Sequence, residues 1–187
     1  MNNTIIVFSA DNGHEIYYSQ KNRCEKPYRN LQTGLFFDDL ENKYRSRLAG
    51  DIFNGNAGMA GLKRSNLEGG VRVPLVFYCP GIIPCGNKSN ALVTNYDFLP
   101  TVADLLNVKL LKAKDGRSYK NQLINGIQES EHQYIVFSSN TGPAIVTEDG
   151  WKLRYQIYKN RVELFFLQDD PFEIEDLSLK YPKKVQF

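Results

Sequence analysis

The sequence predicts an α/β fold that ends in a small antiparallel sheet. Two short apolar runs bounded by turn residues, at positions 4–10 and 74–81, are typical of core strands. A helical pattern follows the second run, and several short strand patterns separated by turn residues occupy the C-terminal part. We therefore predict two domains, an α/β part of residues 1–128 and an antiparallel part of residues 129–187.

The composition excludes several classes of protein. The 187 residues are 42% hydrophobic and 12% aromatic, which is enough to bury a core and is not typical of a disordered chain. The formal charge is +2 and the basic residues are scattered, so we expect no nucleic-acid partner. No apolar run reaches the roughly 20 residues that span a bilayer, so we expect no membrane span. The first residues lack the features of a signal peptide.

The first predicted strand, residues 4–10, is a β-branched apolar run that turn residues close, and we expect it to be buried. Residues 16–60 are polar and irregular, apart from a predicted helix around 38–48. A segment of this length between strands is usually a functional surface loop, so we expect it to help select a substrate.

The second predicted strand, residues 74–81, has proline at each end, where proline is tolerated. A helix should follow, with Asn95 or Asp97 as its N-cap and Pro100 in its first turn. Its helically spaced apolar residues should form one face for the sheet; they are Phe98, Val102, Leu105 and Leu106. Residues 115–118 are predicted to form a turn.

The C-terminal sheet is predicted from four short strand patterns, at 134–138, 144–147, 151–158 and 162–167. The connectors between them are rich in asparagine, aspartate and glycine, which is typical of hairpins.

A candidate metal site follows the first strand. Asp11 and Asn12 are adjacent oxygen donors held by Gly13, and hard cations such as Ca²⁺ take oxygen ligands only. Two donors are too few, because Ca²⁺ takes six to eight, so the rest must come from elsewhere. A plain Asn-Gly hairpin turn is the alternative. Next to this turn, His14 is a candidate substrate contact, although an exposed loop histidine explains it equally well.

A second block, residues 61–74, contains the candidate catalytic residue Lys63. Its compact ammonium could offset negative charge on an ester oxygen, although a lone loop lysine is usually solvated. Gly69 and Gly70 are predicted to shape a turn through positive φ. Glu68 and Arg72 are predicted to orient the loop through charge-assisted hydrogen bonds.

The three cysteines, Cys24, Cys79 and Cys85, form no C-x-x-C pair and give little support to a zinc site. Buried or incidental thiols are the simplest interpretation. A bridge between Cys79 and Cys85 is the alternative, because proline and glycine could turn the chain between them.

Six motifs in sequence order resemble those of the sulfatase family and cover nearly the whole chain. They are the metal motif Asp11-Asn12-Gly13, the G-x-K to E-G-G-x-R-x-P block at 61–74, the D-F-L-P-T helix start at 97–101, the D-G-R-S turn at 115–118, the D-G-W-K-L strand at 149–153 and the closing segment 163–177.

The resemblance implies an α/β/α core of the alkaline-phosphatase type, followed by a small antiparallel subdomain, in a hydrolase of sulfate esters. It implies that Asp11 and Asn12 hold part of a Ca²⁺ site, with Mg²⁺ as the alternative, and that Lys63 neutralises sulfate charge. It also implies a formylglycine nucleophile. From the family's range we expect a sulfated carbohydrate as the substrate and a periplasmic or secreted location for the intact protein.

The chain departs from the family pattern, because it lacks the nucleophile and the further metal-binding aspartates, arginine, lysine and histidines that the family's N-terminal half supplies. The formylglycine motif C/S-x-P-x-R does not occur in the sequence. We therefore expect the chain to be the C-terminal portion of a sulfatase, cut just before a central strand and inactive alone. Strands without their neighbours expose apolar faces and unpaired backbone, so we also expect the fragment to self-associate.

Two other functions stay open from the sequence. A phosphatase or phosphodiesterase of the same superfamily would use Ser or Thr as nucleophile and add a second metal with further Asp and His ligands. A non-catalytic structural or binding fragment would need none of these residues for chemistry. The upstream reading frame distinguishes them, because C/S-x-P-x-R there indicates a sulfatase.

Overall fold

A computed structural model describes residues 4–14, 24–25, 29–30, 55–112 and 115–186. The described residues form two compact units, each built from segments that are distant in sequence. The first unit falls within Met1–Asp11 and Pro74–Ile135, and the second within Asn12–Val73 and Val136–Phe187. The predicted domain boundary between residues 128 and 129 stays a prediction. Within the described residues, no helix is long and apolar enough to cross a membrane.

The first unit contains a two-stranded antiparallel sheet and a few short helices. Its elements are β1 (Ile6–Ser9), β4 (Leu75–Tyr78), a short 3-10 helix (Asn95–Asp97), α2 (Phe98–Leu105) and α3 (Lys120–Asn125). The two core strands and the helix after them agree with the sequence prediction. On one face of the sheet, the Phe77 ring lies 6.4 Å from Phe98 and 5.8 Å from Tyr119, so the helical segments cover that face.

The opposite face of this sheet is exposed, which corrects the expectation that the first strand is buried. Ile6 pairs with Tyr78 and Phe8 with Val76 across the ladder, so the four side chains share one face. Phe8 is 64% exposed and Ile6 is 42% exposed. The cause is that, among the described residues, β1 and β4 pair only with each other and nothing packs on this face. The expected self-association stays a prediction.

The start of α2 is organised by one buried carboxylate. The Asp97 carboxylate accepts hydrogen bonds from the Thr94 N–H and the Arg117 N–H, each at 2.8 Å, and lies 2.8 Å from His132 Nε2. Asp97 is 1% exposed and His132 is 7% exposed. Asp97 is therefore more than the predicted N-cap, because it joins three segments of the first unit.

The predicted apolar face of α2 is only partly correct. The residues that α2 buries are Thr101 and Ala103, whereas Phe98 and Leu106 remain 43% and 60% exposed. Thr101 is buried because its hydroxyl donates to the Asp97 carbonyl at 2.7 Å and accepts the Tyr119 N–H at 3.1 Å. A polar contact between helical segments thus takes a place that apolar periodicity alone assigns to leucine.

The second unit contains a four-stranded antiparallel meander in the order β5-β6-β7-β8. The strands are β5 (Tyr134–Ser139), β6 (Gly142–Thr147), β7 (Trp151–Gln156) and β8 (Arg161–Phe166). The first two residues of β5 belong to the first unit. All four were predicted from the sequence. The helices are α1 (Glu68–Val71) and α4 (Pro182–Val185), and the short strands β2 (Cys24–Glu25) and β3 (Arg29–Asn30) pair with each other. The predicted helix around 38–48 and most of the loop 16–60 lie outside the described residues.

One face of β7 carries buried polar residues where a core strand usually carries aliphatic ones. Lys152 and Arg154 are 0% exposed and Gln156 is 1% exposed. The Arg154 Nη1 lies 3.1 Å from Glu163 Oε2 on β8, and Glu163 is also fully buried. The apolar core beside them is small, formed by Ala60, Leu67 and Phe165.

Cys79 and Cys85 are free thiols, so the conceivable bridge between them is absent. Cys79 is buried directly after β4, whereas Cys85 is exposed.

Replacing Asp97 by alanine should destabilise the protein by about 3 kcal/mol, because two backbone N–H groups and a buried histidine lose a charged acceptor. Urea unfolding measures the change. The matched control is Asp104→Ala, which removes an exposed carboxylate from Ser118 and Lys120 and should cost about 0.5 kcal/mol. Equal losses in the two variants would contradict the assigned importance of Asp97.

Asp176 makes the free energy of unfolding depend on pH in the acid range. Burial alone would raise the pKa of its carboxyl, but the N–H groups of Ser178 and Leu164 and the Arg161 guanidinium outweigh it and lower the pKa. A lowered folded-state pKa means that the group stabilises the fold above its unfolded pKa. This contribution is lost as the pH falls through the folded pKa. The stability difference between wild type and Asp176→Asn should therefore be largest near neutrality and shrink below about pH 4. Urea unfolding across that pH range measures it, and a constant difference would contradict the assignment.

Candidate functional site

Two hydrogen bonds join the sequence blocks that were predicted to carry the chemistry. The Gly13 N–H donates to the Gly70 carbonyl at 2.9 Å, and the Lys63 N–H donates to the His14 carbonyl at 2.9 Å. The chain between them is more than 40 residues long, yet the segment from Asn12 to His14 lies along the Lys63 loop. The two candidate blocks therefore form one local structure within the second unit.

Gly13 is required because two backbones approach each other closely at this point. A Cβ atom at position 13 would collide with the Gly69 carbonyl oxygen and lie 2.9 Å from the Gly70 Cα. Neither Asn12 nor Gly13 is among the residues with positive φ, whereas a type I′ hairpin turn needs positive φ at both central positions. The plain Asn-Gly hairpin is therefore wrong, and β1 pairs with the distant β4 instead.

Gly69 and Gly70 lie in the short helix α1, and the reason predicted for them needs correction. Neither has a positive φ. A Cβ on Gly69 would lie 2.6 Å from the Ala60 carbonyl oxygen, and a Cβ on Gly70 would lie 2.5 Å from the Leu62 carbonyl oxygen. The Gly69 N–H also donates to the Ala60 carbonyl at 2.7 Å. These glycines are needed because the helix packs directly on the loop backbone.

Lys63 lies in a tight turn closed by a hydrogen bond from the Ser65 N–H to the Leu62 carbonyl at 2.9 Å. Arg64, the next residue, has a φ of 79°, which is uncommon for a residue with a side chain and costs energy. Lys63 is half-buried, whereas Leu62 before it is 1% exposed. The turn thus carries two half-buried cationic residues, Lys63 and Arg64, next to the buried Leu62.

Glu68 fixes the far end of this loop through a buried charge network that the sequence analysis missed. Glu68 Oε1 lies 2.9 Å from Lys152 Nζ, and Glu173 Oε1 lies 2.9 Å from the same nitrogen. Burial alone would lower the pKa of Lys152, but the carboxylates of Glu173 and Glu68 outweigh it and raise the pKa above its usual value. The ammonium is therefore retained in the interior. In the sequence, Lys152 stands in the D-G-W-K-L motif at 149–153, but nothing there indicates a contact with Glu68 or Glu173.

Arg72 is the last charged residue of this block. Its Nη1 lies 3.6 Å from Glu68 Oε2, one helical turn away, and its side chain is 58% exposed. The contact suits the predicted orienting function of Arg72, but its exposure makes it weak.

Asn66 ties the same loop to the four-stranded sheet. Its Nδ2 donates to the Gly142 carbonyl at 3.0 Å and to the Pro143 carbonyl at 3.2 Å, and the side chain is fully buried. Its N–H also donates to the Thr141 hydroxyl at 3.3 Å. Asn66 was not singled out from the sequence, because an asparagine in a glycine-rich loop gives no signal of burial.

His14 is half-buried, and its ring lies against Gly55. A Cβ atom added at Gly55 would collide with the His14 imidazole. Its carbonyl is already used by the Lys63 N–H. Contact with substrate stays a prediction for this side chain.

Asp11 and Asn12 are adjacent oxygen donors, Asp11 exposed and Asn12 half-buried. The described residues contain no group of three or more His, Cys, Asp and Glu side chains that could hold a metal ion. The donor type fits Ca²⁺ or Mg²⁺, but the number of donors is too small for a complete site. A bound ion would therefore need further ligands beyond these two residues.

Comparison with known families gives two matches that together cover nearly the whole chain. The family model described as Sulfatase matches residues 1–108, which is more than half of the chain. The model described as N-sulphoglucosamine sulphohydrolase, C-terminal, matches residues 60–186. The second match includes the Lys63 loop and the entire four-stranded sheet.

Individual relatives and solved structures agree with these families. The chain is 35% identical to human steryl-sulfatase over 94 residues, which is 49% of the chain and 16% of that protein. It is 30% identical to mouse arylsulfatase G over 144 residues, which is 76% of the chain and 23% of that protein. A solved structure described under the metabolism of multiple glycosaminoglycans by Bacteroides thetaiotaomicron has a TM-score of 0.69 and 25% identity, covering 99% of the chain and 37% of that structure. The predicted fold class and family resemblance are confirmed.

Replacing Gly13 by alanine should separate the two blocks, because the new methyl group has no space between the backbones. We expect a loss of about 2–4 kcal/mol in the free energy of unfolding. The matched control is Gly86→Ala, where φ is +80° and nothing lies within 4 Å, so only backbone strain of about 1–2 kcal/mol should appear. Urea unfolding measures both. A Gly13→Ala variant as stable as wild type would contradict the close approach.

Proposed function

The chain belongs to the sulfatase family, and from that premise we propose that it is the C-terminal part of an enzyme that hydrolyses sulfuric esters. The chain spans 16% to 23% of the two named relatives, so the activity belongs to a longer protein. The observation that carries the proposal is the pair of hydrogen bonds that lays Asn12–His14 along the Lys63 loop. This arrangement brings two motifs of the family into one structure.

Lys63 is proposed to bind the sulfate group of the substrate. Its ammonium would offset negative charge on the sulfate oxygens as the ester bond breaks, and such preorganised charge stabilises a transition state. The tight turn and the half-buried position of Lys63 support this assignment, because partial burial strengthens the attraction between a cation and an anion. His14 lies beside this turn and is proposed as a second, weaker substrate contact.

Asp11 and Asn12 are proposed to contribute oxygen ligands to a Ca²⁺ ion, with Mg²⁺ as the alternative. When bound, the ion would polarise the sulfate oxygens as a Lewis acid. The formylglycine nucleophile expected for the family would come from a C/S-x-P-x-R motif, which this chain does not contain. We therefore propose that the chain alone has no turnover, because covalent catalysis needs an activated nucleophile.

A sulfated carbohydrate is the proposed substrate class. The support is the match to the family described as N-sulphoglucosamine sulphohydrolase, C-terminal, together with the structural relative described under glycosaminoglycan metabolism. From the compartments that the family resemblance implies, we also propose a periplasmic or secreted location for the intact protein.

The proposal is tested on the intact protein with an aryl sulfate and a sulfated glucosamine. Lys63→Ala should lower kcat/KM by about 100-fold or more, the typical effect of removing one charge-stabilising group. Lys180→Ala is the matched control, because that lysine is exposed, its Nζ lies 5.6 Å from the centroid of the Tyr181 ring, and its removal should leave turnover unchanged. The 187-residue chain alone should give none.

Either of two results would contradict the proposal. One is an intact protein that hydrolyses phosphate esters but no sulfate ester. The other is a 187-residue chain that turns over aryl sulfate by itself and loses this activity in Lys63→Ala.

A further inference from the structure

We propose that Lys152 is a positioning residue of the Lys63 loop, acting through Glu68 and Glu173. The inference rests on the proposed function, because it takes Lys63 as the residue that binds sulfate. Lys152 lies on β7, far from Lys63 in sequence, and does not itself belong to the predicted site. Its importance follows from the two carboxylates that its ammonium contacts, those of Glu68 and Glu173.

The Lys152 ammonium is fully enclosed and shared by two carboxylates. Its side chain is 0% exposed, and its Nζ lies 2.9 Å from an oxygen of Glu68 and 2.9 Å from an oxygen of Glu173. The Phe137 ring lies 5.6 Å from the same nitrogen and excludes water from that side. Removal of the ammonium would leave Glu173 without this cation and Glu68 facing the more distant, exposed guanidinium of Arg72 at 3.6 Å, so the two buried carboxylates would repel each other and shift.

Glu173 connects the ammonium to the backbone of α1. One carboxylate oxygen contacts Lys152, and the other accepts the Glu68 N–H at 2.6 Å. Glu173 has a φ of 53°, an uncommon conformation for glutamate, and Asp170 holds this turn by accepting the Ile174 N–H at 2.6 Å and the Glu175 N–H at 2.9 Å. The backbone of Glu173 is therefore held in an unfavourable conformation in which its carboxylate reaches the start of α1.

The start of α1 is also the end of the Lys63 loop. Glu68 follows Lys63 by five positions, and between them Asn66 is bonded to the sheet. Beyond Glu68, the Gly69 N–H returns to the Ala60 carbonyl at 2.7 Å and closes the loop on itself. A shift of Glu68 therefore moves Gly69, Ala60 and the turn that carries Lys63.

A purely stabilising function explains the network poorly. Burying an ion pair is seldom better for stability than burying apolar side chains of similar size, because desolvation offsets most of the attraction. What the ionic network adds is a pair of specific contacts, the hydrogen bond from Lys152 Nζ to Glu68 Oε1 and the ion pair of Lys152 Nζ with Glu173 Oε1, each at 2.9 Å. We therefore assign Lys152 to the placement of Lys63 rather than to stability alone.

The test uses Lys152→Met, Lys152→Arg and a neutral triple variant that combines Lys152→Met with Glu68→Gln and Glu173→Gln. The triple variant removes the unpaired buried charges, so it should unfold at nearly the wild-type urea concentration. In the intact protein it should still lose about 100-fold in kcat/KM for an aryl sulfate, because small displacements of a catalytic group have effects of that size. Lys152→Arg, which can contact both carboxylates, should recover part of the activity.

Amide hydrogen exchange of the 187-residue chain provides a readout that does not depend on activity. In the triple variant, the amides of Lys63 and Gly69 should exchange about tenfold faster than in wild type, while that of Leu164 on β8 should not change. The matched control is Arg154→Met with Glu163→Gln, which removes the neighbouring buried pair of the same sheet. That control should leave the Lys63 amide and kcat/KM unchanged.

A folded triple variant with wild-type kcat/KM and wild-type exchange at Lys63 would overturn the proposal. So would a control variant that reproduces both effects. If the wild-type intact protein hydrolyses no sulfate ester, the proposed function fails by itself. The exchange of the Lys63 and Gly69 amides then still decides whether Lys152 holds the loop.

Discussion

The close approach of Gly13 to the Gly69-Gly70 backbone is the constraint on which the rest of the candidate site depends. Side chains at these positions would force the two segments apart, and the hydrogen bonds Gly13 to Gly70 and Lys63 to His14 could not both form. Once these bonds exist, the backbone from Asn12 to His14 has a fixed place beside the Lys63 loop. Chemistry that needs both blocks thus requires glycine at this contact.

The second feature of the fold is a group of fully buried charged side chains. Lys152, Arg154, Glu163 and Glu173 are all 0% exposed, and Phe165, the residue opposite Lys152 on β8, belongs to a buried apolar cluster. Buried charges add little net stability but permit few alternative arrangements, because each charge must find its partner. For the candidate site, the contacts that matter are those of Lys152 with Glu68 and Glu173 at the end of the Lys63 loop.

Much of the fold could be predicted from the sequence because periodicity and turn residues report on local structure. The four strands of the C-terminal sheet and the helix after β4 were predicted in this way. Burial of β1 could not be predicted, because it depends on what covers the strand rather than on its own residues. The apolar spacing of α2 likewise gave no indication that Thr101 would be buried by a hydrogen bond.

The candidate site was predictable only in part. Asp11, Asn12 and Lys63 could be assigned chemistry from their motifs, whereas nothing local indicates that Lys152, Glu173 and Asn66 are buried, because long-range contacts bury them. The function of Gly69 and Gly70 was predicted for the wrong reason. Turn glycines and close-contact glycines look identical in a sequence, and only the approach of a second backbone distinguishes them.

The most direct test of this account is a crystal structure of the intact protein with a sulfate ester bound and its nucleophile removed by mutation. The account predicts the sulfate group within hydrogen-bonding distance of Lys63 Nζ and a metal ion that has Asp11 and Asn12 among its ligands. A sulfate group bound elsewhere, with the Lys63 ammonium in solvent, would contradict it.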